Sequence, residues 1–380
     1  MLLVTFLVLA VLALYPMTIY PFLVVGLAKL RPRRWEEGPY AGRVTHIVTV
    51  FNEGRRIRGK LENSIALAAP PGGVDILVVS DGSTDGTHDI VREYEGRGVR
   101  WMGLTRRGKE AAQIDAVQSA SSEVLVFSDA STTIDKEGLV RILQPFADPA
   151  VAAVSGTDRV ATADGSTGED LYVRYEMAVR RAEALAGSLV GLSGCFFAVR
   201  REVAERLLLD VPSDMGAALI SIGLRRRAVV KDDATCAYAL AGGTEHEFAR
   251  KRRTALRGIR GLRLYAPLVS RGRLVELWQV LSHKVLRFAS PIFLIGAVVV
   301  ATAAAVSGQD WALVVAGLVA LAAAIIAVAE VVPSARRSRL MRAAHFFALA
   351  NAAVLAASID FAIGRKQATW SPTARPEAGR

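Results

Sequence analysis

Two aspartates end two short apolar runs, and their placement points to ligand binding. Asp81 follows residues 74–80, and Asp129 follows residues 124–128. Apolar, β-branched runs of this length, bounded by turn residues, are typical of strands buried in a parallel sheet. Ligands of open α/β sheets bind outside the carboxyl ends of the strands, where both aspartates would lie. With a third polar strand end at residues 51–53, they predict a site for a polar, phosphorylated and metal-bound ligand.

Asp81 and Asp129 each allow two interpretations. The Asp81 carboxylate could accept a hydrogen bond from a nucleobase N–H or a ribose hydroxyl, but Asp also favours Asx-turns in glycine-rich loops. Asp129 and Ser131 form an acid-x-hydroxyl triplet. Its hard oxygens suit a Mg²⁺ or Mn²⁺ ion shared with a diphosphate. The other interpretation of this triplet is a second strand-end turn.

Lys109 and Asp214 are two further candidates for the site. Lys109 opens a predicted helix, and a cation beside a helix N-terminus favours anion binding, although a solvated surface lysine is the alternative. Asp214 precedes the helix-like residues 217–224. It could act as a general base that takes a proton from an attacking hydroxyl. Alternatively, it is an acid in the first helical turn that interacts favourably with the helix dipole.

An alternation of strand and helix patterns must position these residues. Strands are predicted at 44–51, 74–80 and 123–128, with helices at 53–68, 85–95 and 108–120. Ser83 or Thr84 is expected to cap the second of these helices. Further strands are predicted at 150–155 and 227–231, with helices at 168–187 and 214–224. The βαβαβ order predicts an α/β fold with a right-handed, doubly wound sheet.

Composition indicates that membrane segments flank this α/β domain. The 380 residues are 52% hydrophobic and 22% charged, with a mean hydropathy of +0.31. Residues 1–28 carry no charged side chain and basic residues follow them, which favours a retained anchor over a cleavable signal and a cytoplasmic domain. Three more apolar stretches, 289–307, 311–332 and 343–363, are each near the length that spans a bilayer. The side on which the tail lies stays open.

These segments predict a division of the chain into five parts. They are an N-terminal anchor at 1–29, a cytoplasmic α/β domain at 40–245, basic amphipathic interfacial helices at 246–287, transmembrane helices at 288–364 and a basic tail at 365–380. The net charge of +11 favours contact with membrane lipids and phosphates; no aromatic-interleaved basic motif indicates nucleic-acid binding. Most arginines of 247–265 are expected to face an anionic membrane surface. The two cysteines are expected to be free thiols.

The ordered set of motifs resembles the family 2 glycosyltransferases with the GT-A fold. It comprises Asn52 and Glu53, residues 80–85, the Gly108-Lys109 pair and residues 129–131, and it extends over about 43–235. The flanking spans resemble those of membrane-embedded bacterial members that make or extend polysaccharides. The resemblance implies a GT-A-like doubly wound mixed sheet, with one N-terminal and about three C-terminal transmembrane helices.

The resemblance also implies an activity and the residues that carry it. A sugar would pass from a UDP-sugar, with inversion, to a hydroxyl of a lipid-linked or polysaccharide acceptor at the bacterial inner membrane, in cell-envelope or exopolysaccharide biosynthesis. Nucleotide-sugar binding would involve Asn52, Glu53, Asp81, Ser83, Lys109, Asp129 and Arg253. The metal, Mg²⁺ or Mn²⁺, would be held by Asp129 and Ser131; Asp214 would be the base; Glu176, Gly194 and Cys195 would line the acceptor side. Oligomers are possible.

Several positions depart from the family pattern. Thr49 replaces a usual proline, Ser80 replaces one of two paired acids, and Ser131 replaces an acid or amide. Processive synthases carry a Gln-x-x-Arg-Trp stretch, whereas residues 250–254 read Arg-Lys-Arg-Arg-Thr, which favours one or a few transfers per encounter. Two alternatives stay open: a processive polysaccharide synthase that exports its product, and a non-catalytic nucleotide-binding membrane scaffold.

Overall fold

A computed structural model describes residues 1–161, 168–239, 244–332 and 338–365. The described residues do not include 333–337, the first half of the basic linker. Of the tail predicted at 365–380, they include only Arg365.

One eight-stranded mixed sheet forms the centre of the described residues. Its strands are β1 (Val44–Val50), β2 (Val74–Asp81), β3 (Val99–Leu104), β4 (Val124–Asp129), β5 (Thr132–Ile134), β6 (Val151–Ala161), β7 (Phe196–Arg200) and β8 (Arg227–Ala239). Their order is β3-β2-β1-β4-β7-β6-β8-β5. The first four are mutually parallel, β7 is antiparallel to both β4 and β6, β8 is parallel to β6, and β5 is antiparallel to β8. This confirms the mixed α/β sheet of GT-A type.

Fourteen α-helices accompany the sheet in the part of the chain that the structure describes. They are α1 (Leu2–Leu14), α2 (Ile19–Leu30), α3 (Ile57–Ile65), α4 (Thr87–Arg92), α5 (Lys109–Ser119), α6 (Gly138–Leu143), α7 (Gly168–Ala186), α8 (Arg201–Ala204), α9 (Ser213–Gly223), α10 (Thr244–Val269), α11 (Leu274–Val280), α12 (Leu286–Val306), α13 (Asp310–Val331) and α14 (Arg339–Ala362). Between α11 and α12, residues Leu281–Val285 form one π-helical turn.

The parallel strands bring the predicted site residues to one edge of the sheet. Every residue of β1 is buried, as its uninterrupted apolar and β-branched sequence requires when both faces are covered. Strand β1 lies between β2 and β4, with Thr49 in register with Val79 and with Asp129. Because neighbouring strands are about 4.8 Å apart, the strand ends carrying Asp81 and Asp129 are separated by roughly 10 Å.

The local structure departs from the sequence expectations at one helix and at three strands. The helix expected at 85–95 is the shorter α4, whose N-cap position is Gly86 in a left-handed conformation; neither Ser83 nor Thr84 caps it. Strands β3, β5 and β7 were not expected. β7 enters the sheet antiparallel between β4 and β6, and its five residues give no signal that fixes such a partner.

The single N-terminal span expected at 1–29 is two helices that meet at an angle of 59°. The break follows α1 at Tyr15 and Pro16; a proline lacks the N–H that a continuing helix needs. Among the described residues, three C-terminal helical stretches are long and apolar enough to cross a membrane, and the bent N-terminal pair is a fourth if it counts as one span. These helices agree with the three predicted C-terminal stretches.

Two arginines of α10 contact other helices, whereas most arginines of 247–265 were expected to face a membrane surface. Arg252 forms an ion pair with Asp360 of α14, with Nε and Oδ2 2.6 Å apart. Arg257 pairs with Glu110 in the first turn of α5. These arginines therefore connect α10 to α5 and to the last apolar helix, α14.

Candidate active site

The loops after β1 and β2 are fastened to each other by short polar side chains. The Asn52 N–H donates to Ser83 Oγ (3.0 Å), and the Thr84 N–H donates to Asn52 Oδ1 (2.8 Å). Ser80 Oγ accepts from the Ser83 N–H at 2.9 Å. Asn52 has a φ of +52°, a left-handed conformation that asparagine tolerates better than most residues. The structure thus places Asn52 and Ser83 in a loop clasp that supports the strand ends.

Glu53 and Asp85 belong to the same clasp. Glu53 is buried, lies 3.3 Å from Arg56, and its N–H donates to Thr87 Oγ1 at 3.0 Å. Asp85 Oδ2 accepts from the Gly54 N–H at 2.9 Å, and its other oxygen accepts from the Thr87 N–H at 3.2 Å. These hydrogen bonds lower the pKa of the Asp85 carboxyl, although partial burial, the largest single influence, opposes them.

Asp81 binds the segment that leads into α5. Its Oδ1 accepts from the N–H groups of Arg107 (2.7 Å) and Gly108 (2.9 Å). Gly108 has a φ of +105°, which a residue with a side chain rarely adopts. The second oxygen, Oδ2, is buried and has no hydrogen-bond partner among the residues that the structure describes. A buried carboxylate oxygen without a partner is costly, so a ligand N–H or O–H at this position would satisfy it.

Lys109 connects this segment to Asp129. The Lys109 ammonium donates to Asp129 Oδ1 at 2.6 Å, and both side chains are partly buried. Burial by itself would lower the pKa of Lys109, but the charges of Asp129, Glu110 and Asp214 outweigh it and raise the pKa. Residues 107–109 are therefore held at two points, by Asp81 through the backbone and by Asp129 through the side chain.

Asp214 lies in the first turn of α9, close to the same lysine. A Cβ built on Gly194 would lie 3.6 Å from Asp214 Oδ2, and the backbone carbonyl of Asp214 accepts from the Leu192 N–H at 3.3 Å. Burial raises the pKa of the Asp214 carboxyl, and the charges of Lys109, Lys284 and Arg180 offset only part of that effect. A carboxylate with a raised pKa beside a cation is suited to accept a proton.

The other residues predicted for the site lie around Asp129 and Asp214 and differ in how they contribute. The carbonyl of Cys195 accepts the Asp129 N–H at 3.2 Å, so Cys195 contributes its backbone, and Gly194 leaves space beside Asp214. Ser131 lies in the short connection between β4 and β5.

Arg253 is half-buried on α10. Burial and, to a smaller extent, repulsion from Arg257 lower its pKa. Glu110, the partner of Arg257, follows Lys109 directly, so α10 crosses the start of α5.

Glu176 is separate from the strand-end aspartates. It lies 3.1 Å from His283 Nε2 and 3.2 Å from Arg287, both on the helix that enters the apolar region. Burial would raise the pKa of Glu176, but Arg287 and His283 overcome it and hold the pKa well below its usual range. His283 also contacts Glu183, with Nδ1 and Oε1 2.6 Å apart. Glu176 therefore remains ionised and fastens α7 to the membrane-side helices.

A cavity of about 640 Å³ connects Asp214 with these helices. Its walls include Asp158 and Arg180, which sequence reasoning missed, as well as Lys284 and Arg287. Asp158 Oδ1 accepts from Ser193 Oγ at 2.5 Å. No local pattern marks Asp158 or Arg180. Lys284 could have been identified from the sequence, because an ionisable residue in a helix that continues into an apolar span is usually functional.

The donor atoms at Asp129 fit a divalent cation that arrives with a diphosphate. Among the residues that the structure describes, no group of three His, Cys, Asp or Glu side chains could hold a metal by itself. Mg²⁺ commonly binds one or two carboxylates and takes its remaining ligands from substrate phosphates and water. The Asp129 carboxylate and the Ser131 hydroxyl supply hard oxygen ligands of this kind.

Comparison with known proteins agrees with this geometry. The family described as "Glycosyl transferase family 2" matches residues 45–208, which contain the clasp, Asp81, Lys109 and Asp129. Residues 45–208 therefore form a family 2 glycosyltransferase domain. The resemblance noted in the sequence is thereby confirmed, and β1 to β7 lie in or next to this glycosyltransferase segment.

The relatives differ in how much of this chain they match: two synthases match half of it or less, and one solved structure matches nearly all of it. A poly-beta-1,6-N-acetyl-D-glucosamine synthase from Staphylococcus epidermidis is 26% identical over 40% of this chain and 38% of its own length. A hyaluronan synthase from Streptococcus pyogenes is 26% identical over 50% of this chain and 48% of its own length. The chain thus spans less than half of these synthases. The solved mannosyltransferase PcManGT from Pyrobaculum calidifontis, in complex with GDP-Man and Mn²⁺, is 25% identical, has a TM-score of 0.75 and covers 96% of this chain and 100% of its own.

Proposed function

We propose that this glycosyltransferase moves a sugar from a nucleoside diphosphate sugar to a hydroxyl of a lipid-linked or polysaccharide acceptor at a membrane, with inversion at the anomeric carbon. The observation that carries the proposal is the position of Lys109. Its ammonium contacts Asp129 and its charge acts on Asp214, while its own segment is held by Asp81. One edge of the sheet therefore presents groups that could bind a nucleobase, neutralise a diphosphate and accept a proton from an attacking hydroxyl.

The proposed roles follow from the chemistry of each group. The free oxygen of Asp81 accepts an N–H of the nucleobase, and Lys109 contributes positive charge to the diphosphate. Asp129 and Ser131 would hold a Mg²⁺ or Mn²⁺ ion, which would neutralise part of the negative charge on the leaving diphosphate. Asp214 takes the proton of the acceptor hydroxyl as its oxygen bonds to the anomeric carbon. The bond from that carbon to the diphosphate breaks, and the nucleoside diphosphate departs.

The donor is expected to be UDP-linked or GDP-linked. The sequence resemblance implies UDP, and PcManGT, which is similar over its full length, was solved with GDP-Man. Asp81 Oδ2 can accept from an N–H of either base. The synthase relatives favour a role in cell-envelope or exopolysaccharide biosynthesis. We place the catalytic domain on the cytoplasmic face of a bacterial inner membrane, because basic residues follow the N-terminal apolar run.

The test of this proposal is nucleotide binding by the full chain in neutral detergent. Asp129→Asn is expected to weaken Mn²⁺-dependent binding of UDP or GDP at least tenfold, because it removes the charged oxygen ligand at the strand end. Asp89→Asn, the same change at an exposed position of α4, is the matched control. Calorimetry with both nucleotides, with Mn²⁺ and with EDTA, gives the comparison. Equal affinity of the wild type and Asp129→Asn for both nucleotides would contradict the proposed role of Asp129.

A further inference from the structure

The cavity beside Asp214 has two chemically different walls. One wall belongs to the catalytic domain and carries Asp214, Glu176 and Arg180. Another part of the lining belongs to α10 and α14 and includes Phe347 and Ala350. Helix α14 is one of the helices that is apolar enough to cross a membrane. The cavity is therefore open to a ligand with a polar end and an apolar end.

The charges lining the cavity favour an anionic polar end. Five cations line it, namely Arg180, Arg250, Lys251, Lys284 and Arg287, against three acids, Asp158, Glu176 and Asp214. Five minus three leaves an excess of two positive charges. The excess lies in a partly enclosed space, where charge interactions are stronger than in water. A neutral headgroup would not use this excess, whereas a phosphate would.

Among the cations that line the cavity, Lys284 is the best placed to bind an anion. Among the side chains that the structure describes, no carboxylate lies within ion-pair distance of Lys284. A Cβ built on Gly191 would lie 3.1 Å from the Lys284 Nζ, and the next residue, Leu192, donates its N–H to the Asp214 carbonyl. Lys284 thus reaches from the π-helical turn before α12 to the loop whose backbone is hydrogen-bonded to the proposed base, Asp214.

The local backbone also marks this lysine. Lys284 lies in the π-helical turn Leu281–Val285, between α11 and the apolar α12. Single π-helical turns inside α-helices are frequently found at functional sites, because the extra residue redirects the side chains of that turn. An ionisable side chain at the start of a membrane-spanning helix is costly unless a partner or ligand compensates it.

We propose that the acceptor is a membrane lipid whose headgroup carries a phosphate-class anion, and that it enters this cavity from the side of α10 and α14. The anion lies at Lys284 and Arg287, the acceptor hydroxyl at Asp214, and the chain against Phe347 and Ala350 of α14. The inference rests on the proposed glycosyl transfer and specifies its acceptor. It excludes a soluble glycan and a neutral lipid as the main acceptor.

The test measures acceptor-site binding without turnover. Full-length protein in phosphatidylcholine nanodiscs is titrated with dodecyl phosphate, dodecyl maltoside or inorganic phosphate, with empty nanodiscs as the blank. Wild type is expected to bind dodecyl phosphate at least tenfold more tightly than either other probe. Lys284→Gln is expected to remove most of that preference, whereas Lys136→Gln, at an exposed position before α6, keeps it.

A second variant tests the apolar wall in case Lys284→Gln disturbs folding. Ala350→Trp fills the side of the cavity formed by α14 and is expected to weaken dodecyl phosphate binding at least tenfold, with inorganic phosphate binding unchanged. Equal binding of dodecyl phosphate and dodecyl maltoside by the wild type would overturn the proposal. So would tighter binding of inorganic phosphate, which would indicate a site for free phosphate.

Failure of this inference can be separated from failure of the proposed function. Asp129→Asn is expected to lose Mn²⁺-dependent nucleotide binding and to retain dodecyl phosphate binding, because Asp129 does not line the cavity. Nucleotide binding without any preference for the lipid phosphate contradicts only the acceptor assignment. Preference for the lipid phosphate without nucleotide binding contradicts only the transferase proposal.

Discussion

Asp214 combines the two properties that a general base at this site needs. Its side chain is half-buried in the first turn of α9, and its carboxylate is close to Gly194, where a side chain would reduce the free space. Burial raises its pKa, and Lys109 keeps a positive charge nearby. The first-turn position also favours the ionised form through the helix dipole, so the structural and the functional interpretation of this residue are compatible.

Replacement of the base should affect turnover far more than binding. Asp214→Asn is expected to lower the rate of sugar transfer by about 10²–10⁴-fold, the usual contribution of a positioned general base. Nucleotide affinity should change little, because the proposed nucleotide contacts are those of Asp81, Lys109 and Asp129. Asp210→Asn is the control, since Asp210 is exposed in the same loop and asparagine tolerates its φ of +62°. Transfer by Asp214→Asn at the wild-type rate would contradict the assignment.

The raised pKa of Asp214 also predicts a pH dependence. A general base acts in its deprotonated form, so activity is lost as the pH falls through the folded-state pKa. Because burial raises that pKa, the acid limb of the rate should lie above the ordinary aspartate value of about 3.9. Initial rates from pH 4 to 8 would locate the limb, with circular dichroism showing that the fold persists. An acid limb at or below the ordinary value would contradict the prediction.

The clasp between the loops after β1 and β2 is the element on which the strand-end geometry depends. It joins two neighbouring parallel strands through Asn52, Ser80 and Ser83, using hydrogen bonds of 2.8–3.0 Å. Strand pairing fixes where β1 and β2 end, and the clasp fixes the direction in which their loops leave. Asp81, at the end of β2, is therefore held in one orientation toward α5.

Removal of the clasp should lower stability in a graded way. Asn52→Ala loses the acceptor for Thr84 and places alanine at a φ of +52°, which together cost about 1–2 kcal/mol. Asn52→Asp keeps an acceptor oxygen and tolerance of this φ, so it should retain most of the wild-type stability. Thermal unfolding of the full chain in detergent gives the comparison. Equal unfolding midpoints for Asn52→Ala and the wild type would show that the clasp contributes nothing measurable.

Local sequence predicted the strand-end part of the site, and tertiary packing supplied the rest. Asp81, Lys109 and Asp129 could be placed because each follows or precedes an element whose period is visible in a short window. The cavity could not be placed in this way. Arg180 and Lys284 are about a hundred residues apart in the chain, and only the packing of α7 against the apolar helices brings them to one wall.

The whole molecule is held together by a buried polar network at the junction of the catalytic domain and the apolar helices. Tyr20 of α2 donates its hydroxyl to Glu183 of α7 at 2.5 Å, and His283 contacts the same carboxylate oxygen at 2.6 Å. His283 and Arg287 also contact Glu176. The network includes α2, α7 and the start of α12, so three distant parts of the chain share one set of buried charges.

Loss of a hydrogen-bond donor and loss of the central acid should lower the free energy of unfolding by different amounts. Tyr20→Phe removes one hydrogen bond to a carboxylate and should cost about 1.5–3 kcal/mol. Glu183→Ala should cost more, because it leaves both the Tyr20 hydroxyl and His283 without their shared buried partner. Unfolding midpoints in detergent should decrease in the order wild type, Tyr20→Phe, Glu183→Ala. Glu95→Ala, at an exposed position, is the control, and equal midpoints for all variants would contradict the role of the network.

This junction limits how the protein can be divided for study. Tyr20, His283 and Arg287 all lie outside residues 40–245, whereas both glutamates that they contact lie inside. A gene fragment encoding 40–245 alone would leave two acidic groups on α7 that have lost their bonded counterparts. Such a fragment is expected to be poorly soluble and inactive, so the protein should be purified with its apolar helices attached.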